Sequence, residues 1–221
     1  MGATHPHTPL PLDHPVWAAR PCPALDRAPR WTGVGPLPFV PGASAQGLFV
    51  EHGVVTASST SPSGRTAGVA LLGRGDLWTD DASGTHRCPD EDGIRLEALC
   101  PSRVRLLTNE ALVRAAADAS SAPWMISALA RRSRDAERRC AEALCLPVDE
   151  RVLSLLRRLA RLQGVAVPGG VRIEIELSQE RIARLTGATR ESINRAMRTL
   201  RRRDLVRRDG LRYEVVAGGG S

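Results

Sequence analysis

The 221-residue sequence contains no lysine, so all 31 of its basic side chains are arginines. Aromatic residues make up only 3% of the chain, and aliphatic side chains must therefore supply most of any core. No run of about 18 apolar residues occurs, which argues against a transmembrane helix, and the N-terminus lacks the basic start and apolar centre of a secretory signal. We expect a cytoplasmic protein with no membrane partner, whose cysteines are mostly reduced.

Motifs of enzymes and of metal sites are also missing. The sequence has no Cys-x-x-Cys pair, no phosphate-binding loop and no Ser/His/Asp constellation around its five scattered histidines. His5, His7 and His14 lie near one another, but no cluster of cysteines or carboxylates stands at ligand spacing beside them. The sequence therefore predicts no catalytic activity, no metal site and no bound cofactor.

The charge is distributed unevenly along the chain. Residues 1–120 carry a net charge of −2, whereas residues 121–221 carry a net charge of +9. A near-neutral first half and a basic second half are typical of a sensor or scaffold that is joined to a nucleic-acid-binding domain.

The clearest pattern runs from Ser178 to Arg203 and predicts two short helices joined by a tight turn. Ser178 and Thr189 are suited to cap these helices, and Gly187 can adopt the positive φ that the turn needs. In the second helix, apolar residues recur at i, i+3, i+4 and i+7, which predicts a single buried stripe. The stripe consists of Ile193, Ala196, Met197 and Leu200.

The opposite face of the second helix is polar and rich in arginine. It consists of Arg190, Glu191, Asn194, Arg195, Arg198, Arg201 and Arg202. Such a face fits a helix that enters the major groove of double-stranded DNA, because arginine binds guanine edges in a bidentate manner and glutamate accepts from cytosine N4. The alternative is a basic helix that packs on another domain and keeps its charges in solvent.

The segment TGATRESINRAMRTLRRRDLV resembles the winged helix-turn-helix of the Crp/Fnr transcription regulators. The Arg-Glu-x-x-x-Arg pattern of that family's recognition helix corresponds to Arg190, Glu191 and Arg195. The resemblance implies that these three residues contact a half-site related to the family's GTGA core. The full set of expected DNA-binding residues is Ser178, Gln179, Thr189, Arg190, Glu191, Asn194, Arg195 and Arg198.

Short apolar segments between Leu37 and Thr108, separated by turn residues, predict an antiparallel barrel or sandwich. The segments PGASAQGLFVEHGVVTASSTSPSGR, VALLGRGDLW and EALCPSRVRLL resemble the cyclic-nucleotide-binding β-roll of the same family. The ligand cassette does not match, because Asp92-Gly93 falls where the family has the Arg-Ser pair that binds the cyclic phosphate. An aspartate there would repel a phosphate, so we predict a degenerate roll that does not bind cyclic AMP in the family's manner.

Two features of this region leave alternatives open. A phosphate site could instead be made by Arg87 or Arg95. The polar loop from Asp80 to Asp92 could sense another ligand, or it could be a remnant of the lost cassette.

The segment PWMISALARRSRDAERRCAEALCL predicts a long helix with a seam of mostly small residues. The seam consists of Ile126, Leu129, Ser133, Ala136, Cys140 and Ala143. By resemblance this is the family's dimerisation helix, which packs against its copy in a homodimer. The helix could alternatively lie on the roll of its own chain, or its arginines could touch DNA phosphates. If Cys140 faces its copy across the dimer axis, oxidation could join the two thiols.

The remaining C-terminal elements are predicted from local patterns. A leucine-rich helix ends at Gly164, and alternating apolar residues predict a strand over residues 171–177. The last hairpin, the wing, should turn at Asp209-Gly210 in type I′ geometry. The wing residues expected to meet the DNA backbone are Arg207, Arg208 and Arg212.

The predicted fold class is α+β, with an N-terminal antiparallel β-roll of the jelly-roll type, a long dimerisation helix and a C-terminal winged helix-turn-helix. The predicted boundaries are a proline-rich irregular segment at residues 1–30, the roll at 31–119, the helix at 120–145 and the DNA-binding domain at 146–217. The predicted function is a transcription regulator that binds a pseudo-palindromic DNA site as a homodimer, independently of cyclic AMP, with RNA polymerase as a partner if it is an activator. The alternative is a regulator whose DNA binding is switched by an unidentified small ligand or by cysteine oxidation.

Overall fold

The computed structural model describes residues 25, 27–38, 47–61, 64, 66–79 and 92–217. The predicted loop from Asp80 to Asp92 lies outside these residues except for Asp92, which begins a strand. The possible phosphate ligand Arg87 and the N-terminal histidines also lie outside them. None of the helices in the described part is long and apolar enough to cross a membrane.

The first sheet is an antiparallel roll organised around one long strand. Its strands are β1 (Arg30–Pro36), β2 (Gly47–His52), β3 (Val55–Thr60), β4 (Thr66–Leu72), β5 (Leu77–Thr79) and β6 (Asp92–Leu107). The strand order is β4-β3-β6-β2-β5, and β1 also pairs with β6. Because β6 is 16 residues long, it has antiparallel partners in β1, β2 and β3, which pair with different parts of it. The predicted antiparallel roll is confirmed.

The core of the roll is aliphatic, as the scarcity of aromatic residues requires. Leu48, Val50, Val55 and Val104 are completely buried in one apolar cluster. The turn between β2 and β3 depends on Gly53, which has a φ of +90°. A Cβ atom at this position would lie 2.7 Å from Cα of Ser102, so both the conformation and the space require glycine.

Two helices follow the roll: α1 (Asn109–Ala117), which the sequence patterns did not predict, and α2 (Ala122–Cys145), which they did. Arginines on one face of α2 donate hydrogen bonds to backbone carbonyl groups of the roll. Arg131 and Arg132 donate to the carbonyl oxygens of Gly75 and Thr79 at 3.2 and 3.3 Å, and Arg139 donates to the carbonyl of Gly68. The interpretation of α2 as a helix lying on its own roll therefore holds for this face.

The other face of α2 is the predicted small-residue seam, and it is exposed throughout. Ile126 is 67% exposed and Leu129 is 38% exposed, and Cys140 is also exposed. The helix thus contacts its own roll on one side and leaves an apolar strip free on another.

The C-terminal elements form a small helical domain with a four-stranded sheet. They are α3 (Val148–Gln163), β7 (Gly164–Val167), β8 (Gly170–Ile173), α4 (Gln179–Thr186), α5 (Arg190–Arg202), β9 (Val206–Asp209) and β10 (Arg212–Val216). The sheet order is β7-β8-β10-β9. The strand predicted for residues 171–177 is too long, since β8 ends at Ile173, although Ile175 and Leu177 remain buried. The pairing of β7 with β8 was not predicted.

The roll and the C-terminal domain share a buried interface. Leu71 and Leu99 of the roll belong to the same apolar cluster as Leu156 of α3. At the edge of this cluster, Nη2 of Arg181 on α4 donates to Oε1 of Glu97 on β6 at 2.8 Å. The C-terminal domain is therefore docked on its own roll through α3 and α4. The predicted domain boundaries stay predictions.

Candidate nucleic-acid interface

Two helix N-caps and one glycine with a positive φ fix the conformation of the helix-turn-helix. Oγ of Ser178 accepts from the amide of Arg181 at 3.1 Å and caps α4. Gly187 ends α4 with a φ of +64°, and Oγ1 of Thr189 accepts from the amide of Ser192 at 3.2 Å and caps α5. Each cap satisfies an amide that the first helical turn leaves unpaired, so the beginnings of both helices are fixed.

The rotation of α5 is set by its buried stripe. Ile193, Ala196, Met197 and Leu200 are all buried. This places the predicted contact residues on the outer face: Arg190, Glu191, Arg195 and Arg198 are exposed and Asn194 is partly exposed. The other three predicted residues lie at helix starts, with Ser178 and Gln179 at α4 and Thr189 at α5.

The described residues do not compensate the charges on this face. Among the residues that the structure describes, Arg190, Arg195 and Arg198 have no carboxylate within ion-pair distance, whereas many arginines elsewhere do. Glu191 is the single acid in the helix. A cationic face without internal partners is available to phosphates and to base edges.

The turn of the wing differs from its prediction. The two residues between β9 and β10 are Gly210 and Leu211, because Arg212 pairs with Asp209. Of these two residues, only Gly210 has a positive φ (57°). A type I′ turn needs positive φ at both central residues, so the expected type I′ turn is wrong.

Two of the wing arginines, Arg207 and Arg212, form ion pairs within the C-terminal domain. Arg207 lies 3.3 Å from a carboxylate oxygen of Asp204 and 3.5 Å from one of Glu214. Arg212 lies 3.5 Å from Glu174, whose pKa is lowered mainly by a hydrogen bond from Arg172. These arginines are partly neutralised, and the wing is therefore a weaker cationic surface than its sequence suggests.

Sequence reasoning overlooked Arg181, which lies in the first turn of α4. Its guanidinium is directed to Glu97 of the roll and to the carbonyl of Glu176, at 2.8 and 3.3 Å. No local signal could have shown this contact, because Glu97 precedes Arg181 by 84 residues. One cation near the cap of α4 thus stabilises domain docking.

The described residues include no group of three or more histidine, cysteine, aspartate or glutamate side chains that could hold a metal ion.

A family model described as the Crp-like helix-turn-helix domain matches residues 150–217. Over 86 residues the chain is 35% identical to a protein of Mycobacterium tuberculosis (strain CDC 1551 / Oshkosh) named "CRP-like cAMP-activated global transcriptional regulator". This match spans 39% of the present chain and 38% of the M. tuberculosis protein, well under half of the relative's length.

Solved structures resemble the chain over more of its length. The c-di-GMP-responsive global regulator CLP of Xanthomonas campestris superposes with a TM-score of 0.65 at 23% identity, covering 88% of this chain and 96% of that chain. A CRP/FNR-family transcriptional regulator of Thermus thermophilus gives a TM-score of 0.66 at 17% identity, covering 86% and 93%. At these identities the likeness establishes a shared fold.

Proposed function

We propose, from the match of residues 150–217 to the Crp-like helix-turn-helix domain, that the chain is a sequence-specific transcription regulator of the Crp/Fnr type. The observation that carries the proposal is the outer face of α5, where Arg190 and Arg195 are exposed and have no ion-pair partner in the described part of the chain. Two capped helix starts hold this face in one orientation.

The side chains have distinct roles in this proposal. Arg190 and Arg195 bind guanines, and Glu191 accepts from a cytosine. Asn194 contacts an adjacent base or a phosphate. Ser178, Gln179, Thr189 and Arg198 position the domain on the phosphate backbone, which sets register without selecting sequence.

The protein acts as a homodimer in this proposal. The exposed strip on α2, with Ile126, Leu129 and Cys140, offers a self-complementary surface for a two-fold interface. A two-fold dimer binds a pseudo-palindrome, so its two half-sites should be about one helical turn, roughly 34 Å, apart. RNA polymerase is a further partner if the bound protein activates transcription.

The test is selection of DNA from a random library by the full-length protein, followed by fluorescence anisotropy with the enriched sequence. We expect enrichment of a palindrome with half-sites related to GTGA, and binding at least about 1,000-fold tighter than to random DNA at the same salt concentration. Equal affinity for the enriched and the random DNA would contradict the proposal.

The same titrations with cyclic AMP test the proposed independence from this nucleotide. The M. tuberculosis relative is named as cAMP-activated, but by its resemblance to the family the present chain has Asp92-Gly93 in place of the Arg-Ser pair that binds the cyclic phosphate. We expect the DNA affinity to be the same with and without saturating cyclic AMP. An increase in affinity with cyclic AMP would show that this part of the proposal is wrong.

Control by oxidation is a second candidate, favoured by the exposure of Cys140 on the α2 strip. With hydrogen peroxide as oxidant, two Cys140 thiols would lose two protons and two electrons to form a disulfide, and the peroxide would be reduced to water. Non-reducing electrophoresis should then show a covalent dimer for wild type.

Cys145 supplies the matched control for this experiment. It is also exposed, but five residues further along the helix it points roughly 140° away from Cys140. Cys145→Ser should keep the covalent dimer and Cys140→Ser should lose it. Monomer bands in wild type and in Cys140→Ser alike would exclude the disulfide.

A further inference from the structure

Arg181 places a positive charge in the first turn of α4, where the helix dipole favours anions and disfavours cations. It lies three residues after Ser178, whose Oγ accepts from the Arg181 amide at 3.1 Å. A cation at such a position needs an anion beside it. In the proposed function Ser178 and Gln179 lie against the DNA backbone, so a DNA phosphate is one anion that meets this need.

In the protein without DNA, a carboxylate of the roll takes this place. Nη2 of Arg181 donates to Oε1 of Glu97 on β6 at 2.8 Å, and Nη1 donates to the carbonyl of Glu176 at 3.3 Å. Among the residues that the structure describes, Arg181 is the single ion-pair partner of Glu97. The roll therefore supplies the negative charge that the start of α4 requires.

The ion pair between Arg181 and Glu97 is open to solvent. The two side chains are 28% and 23% exposed, so a phosphate can reach the guanidinium without any opening of the core. Because water screens a partly exposed ion pair, the pair contributes little net stability. Its carboxylate can therefore be exchanged for another anion at a small cost in free energy.

Other contacts keep the C-terminal domain on the roll when this ion pair opens. At the far end of α4, a Cβ added to Gly68 of β4 would lie 3.2 Å from Cα of Leu185, so the two backbones are closely packed there. Leu71 and Leu99 of the roll share a buried cluster with Leu156 of α3. The ion pair can therefore break while the two halves stay docked.

Glu97 and a DNA phosphate exclude each other at this guanidinium, because two anions at the same short range repel. The phosphate has two advantages. Arginine binds phosphate with two parallel hydrogen bonds, whereas Glu97 receives one, from Nη2 of Arg181. Duplex DNA also carries one negative charge per roughly 1.7 Å of helix axis, so the phosphates attract the guanidinium more strongly than a single carboxylate does.

We propose that Arg181 is a further DNA-contacting residue, and that Glu97 of the roll competes with a DNA phosphate for its guanidinium. This inference rests on the proposed DNA-binding function. Without DNA, Glu97 holds Arg181; on DNA, the guanidinium binds a phosphate next to the start of α4 and Glu97 is released to solvent. Because binding must break the ion pair, the roll lowers the DNA affinity of its own C-terminal domain.

The test measures DNA affinity by fluorescence anisotropy over a series of sodium chloride concentrations, with full-length wild type, Glu97→Gln, Arg181→Gln and the double variant. We expect Glu97→Gln to bind about two- to fivefold more tightly than wild type, because no ion pair has to break. The same substitution should change nothing in the Arg181→Gln background.

The salt dependence reports the phosphate contact itself. Arg181→Gln should bind about fivefold more weakly than Glu97→Gln at roughly 0.15 M salt, which is the counterion-release contribution of one phosphate contact. Its plot of log affinity against log salt concentration should be shallower than that of wild type by about one unit. Loss of a contact that served docking alone would leave this slope unchanged.

Glu110→Gln is the matched control, because it removes the same charge from an exposed ion pair with Arg114 on α1. It should bind DNA as wild type does, and circular dichroism checks that each variant is folded. Equal effects of Glu97→Gln and Arg181→Gln would overturn the proposal, since each breaks the same pair. A gain from Glu97→Gln that persists without Arg181, or an unchanged salt slope in Arg181→Gln, would also overturn it.

Failure of this inference and failure of the proposed function give different results. If the inference fails while selected DNA binds at least about 1,000-fold more tightly than random DNA, the proposed function stands. If no DNA sequence is selected, the proposed function is wrong. The salt slopes on random DNA then still decide whether Arg181 contacts a phosphate, because phosphate contacts do not depend on sequence.

Discussion

Arg190→Ala is expected to bind its selected DNA site roughly 5- to 150-fold more weakly than wild type, since a bidentate arginine–guanine pair is worth about 1–3 kcal/mol. Arg190 is the first residue of α5, directly after the capping residue Thr189. The first turn of a recognition helix is the part that reaches base edges. Discrimination at one base pair of each half-site should be lost together with the affinity, and fluorescence anisotropy with single-base variants of the site measures both.

The matched control for this substitution is Arg198→Ala, two turns further along the same helix. Arg198 is also exposed, and in the proposed function it contacts phosphate. Its removal should weaken specific and random DNA alike and should make the affinity less dependent on salt concentration. If Arg190→Ala weakened both kinds of DNA equally, the base-contacting role of Arg190 would be wrong.

The helix-turn-helix could be predicted almost completely because its determinants are local. Ser178 and Thr189 were identified as caps from residue type, and both accept the expected amide hydrogen bonds. Gly187 adopts the positive φ expected of it. The 3.6-residue period of the apolar stripe fixed the outer face of α5 without any knowledge of the rest of the chain.

Strand β7 and the register of the wing, which sequence reasoning missed, lack such local signals. Strand β7 is an edge strand of four residues with no buried position, so it shows no alternation of apolar and polar residues. The turn of the wing is shifted by one residue because β9 extends through Asp209 to pair with Arg212. Strand pairing determined this register, and the favourable Asp-Gly dipeptide did not.

The docking of the two halves could not be predicted either, since it depends on contacts between distant residues. The ion pair of Arg181 with Glu97 spans 84 positions. The close approach of Gly68 to Leu185, where an added Cβ would lie 3.2 Å from the Leu185 backbone, spans more than a hundred.

Leu156→Ala is expected to lower the free energy of unfolding by about 2–5 kcal/mol, because the substitution leaves a cavity in a fully buried position. Leu156 is completely buried on α3, in the cluster that continues into the roll through Leu71 and Leu99. If the halves unfold together, the roll should be destabilised as much as the C-terminal domain. All four tryptophans precede residue 125, so urea unfolding monitored by tryptophan fluorescence reports on the part of the chain that precedes α3.

Leu162→Ala makes the same chemical change on the same helix at a position that is 36% exposed, and it should cost about 1 kcal/mol or less. Far-UV circular dichroism monitors helices, most of which lie beyond the roll, and should give the same midpoint as tryptophan fluorescence for each protein. A fluorescence midpoint that Leu156→Ala leaves unchanged, while the circular dichroism midpoint falls, would mean that the halves unfold independently. The shared cluster would then be too weak to couple the two halves, and coupling would depend on residues 146–147, which connect α2 to α3, and on the ion pair between Arg181 and Glu97.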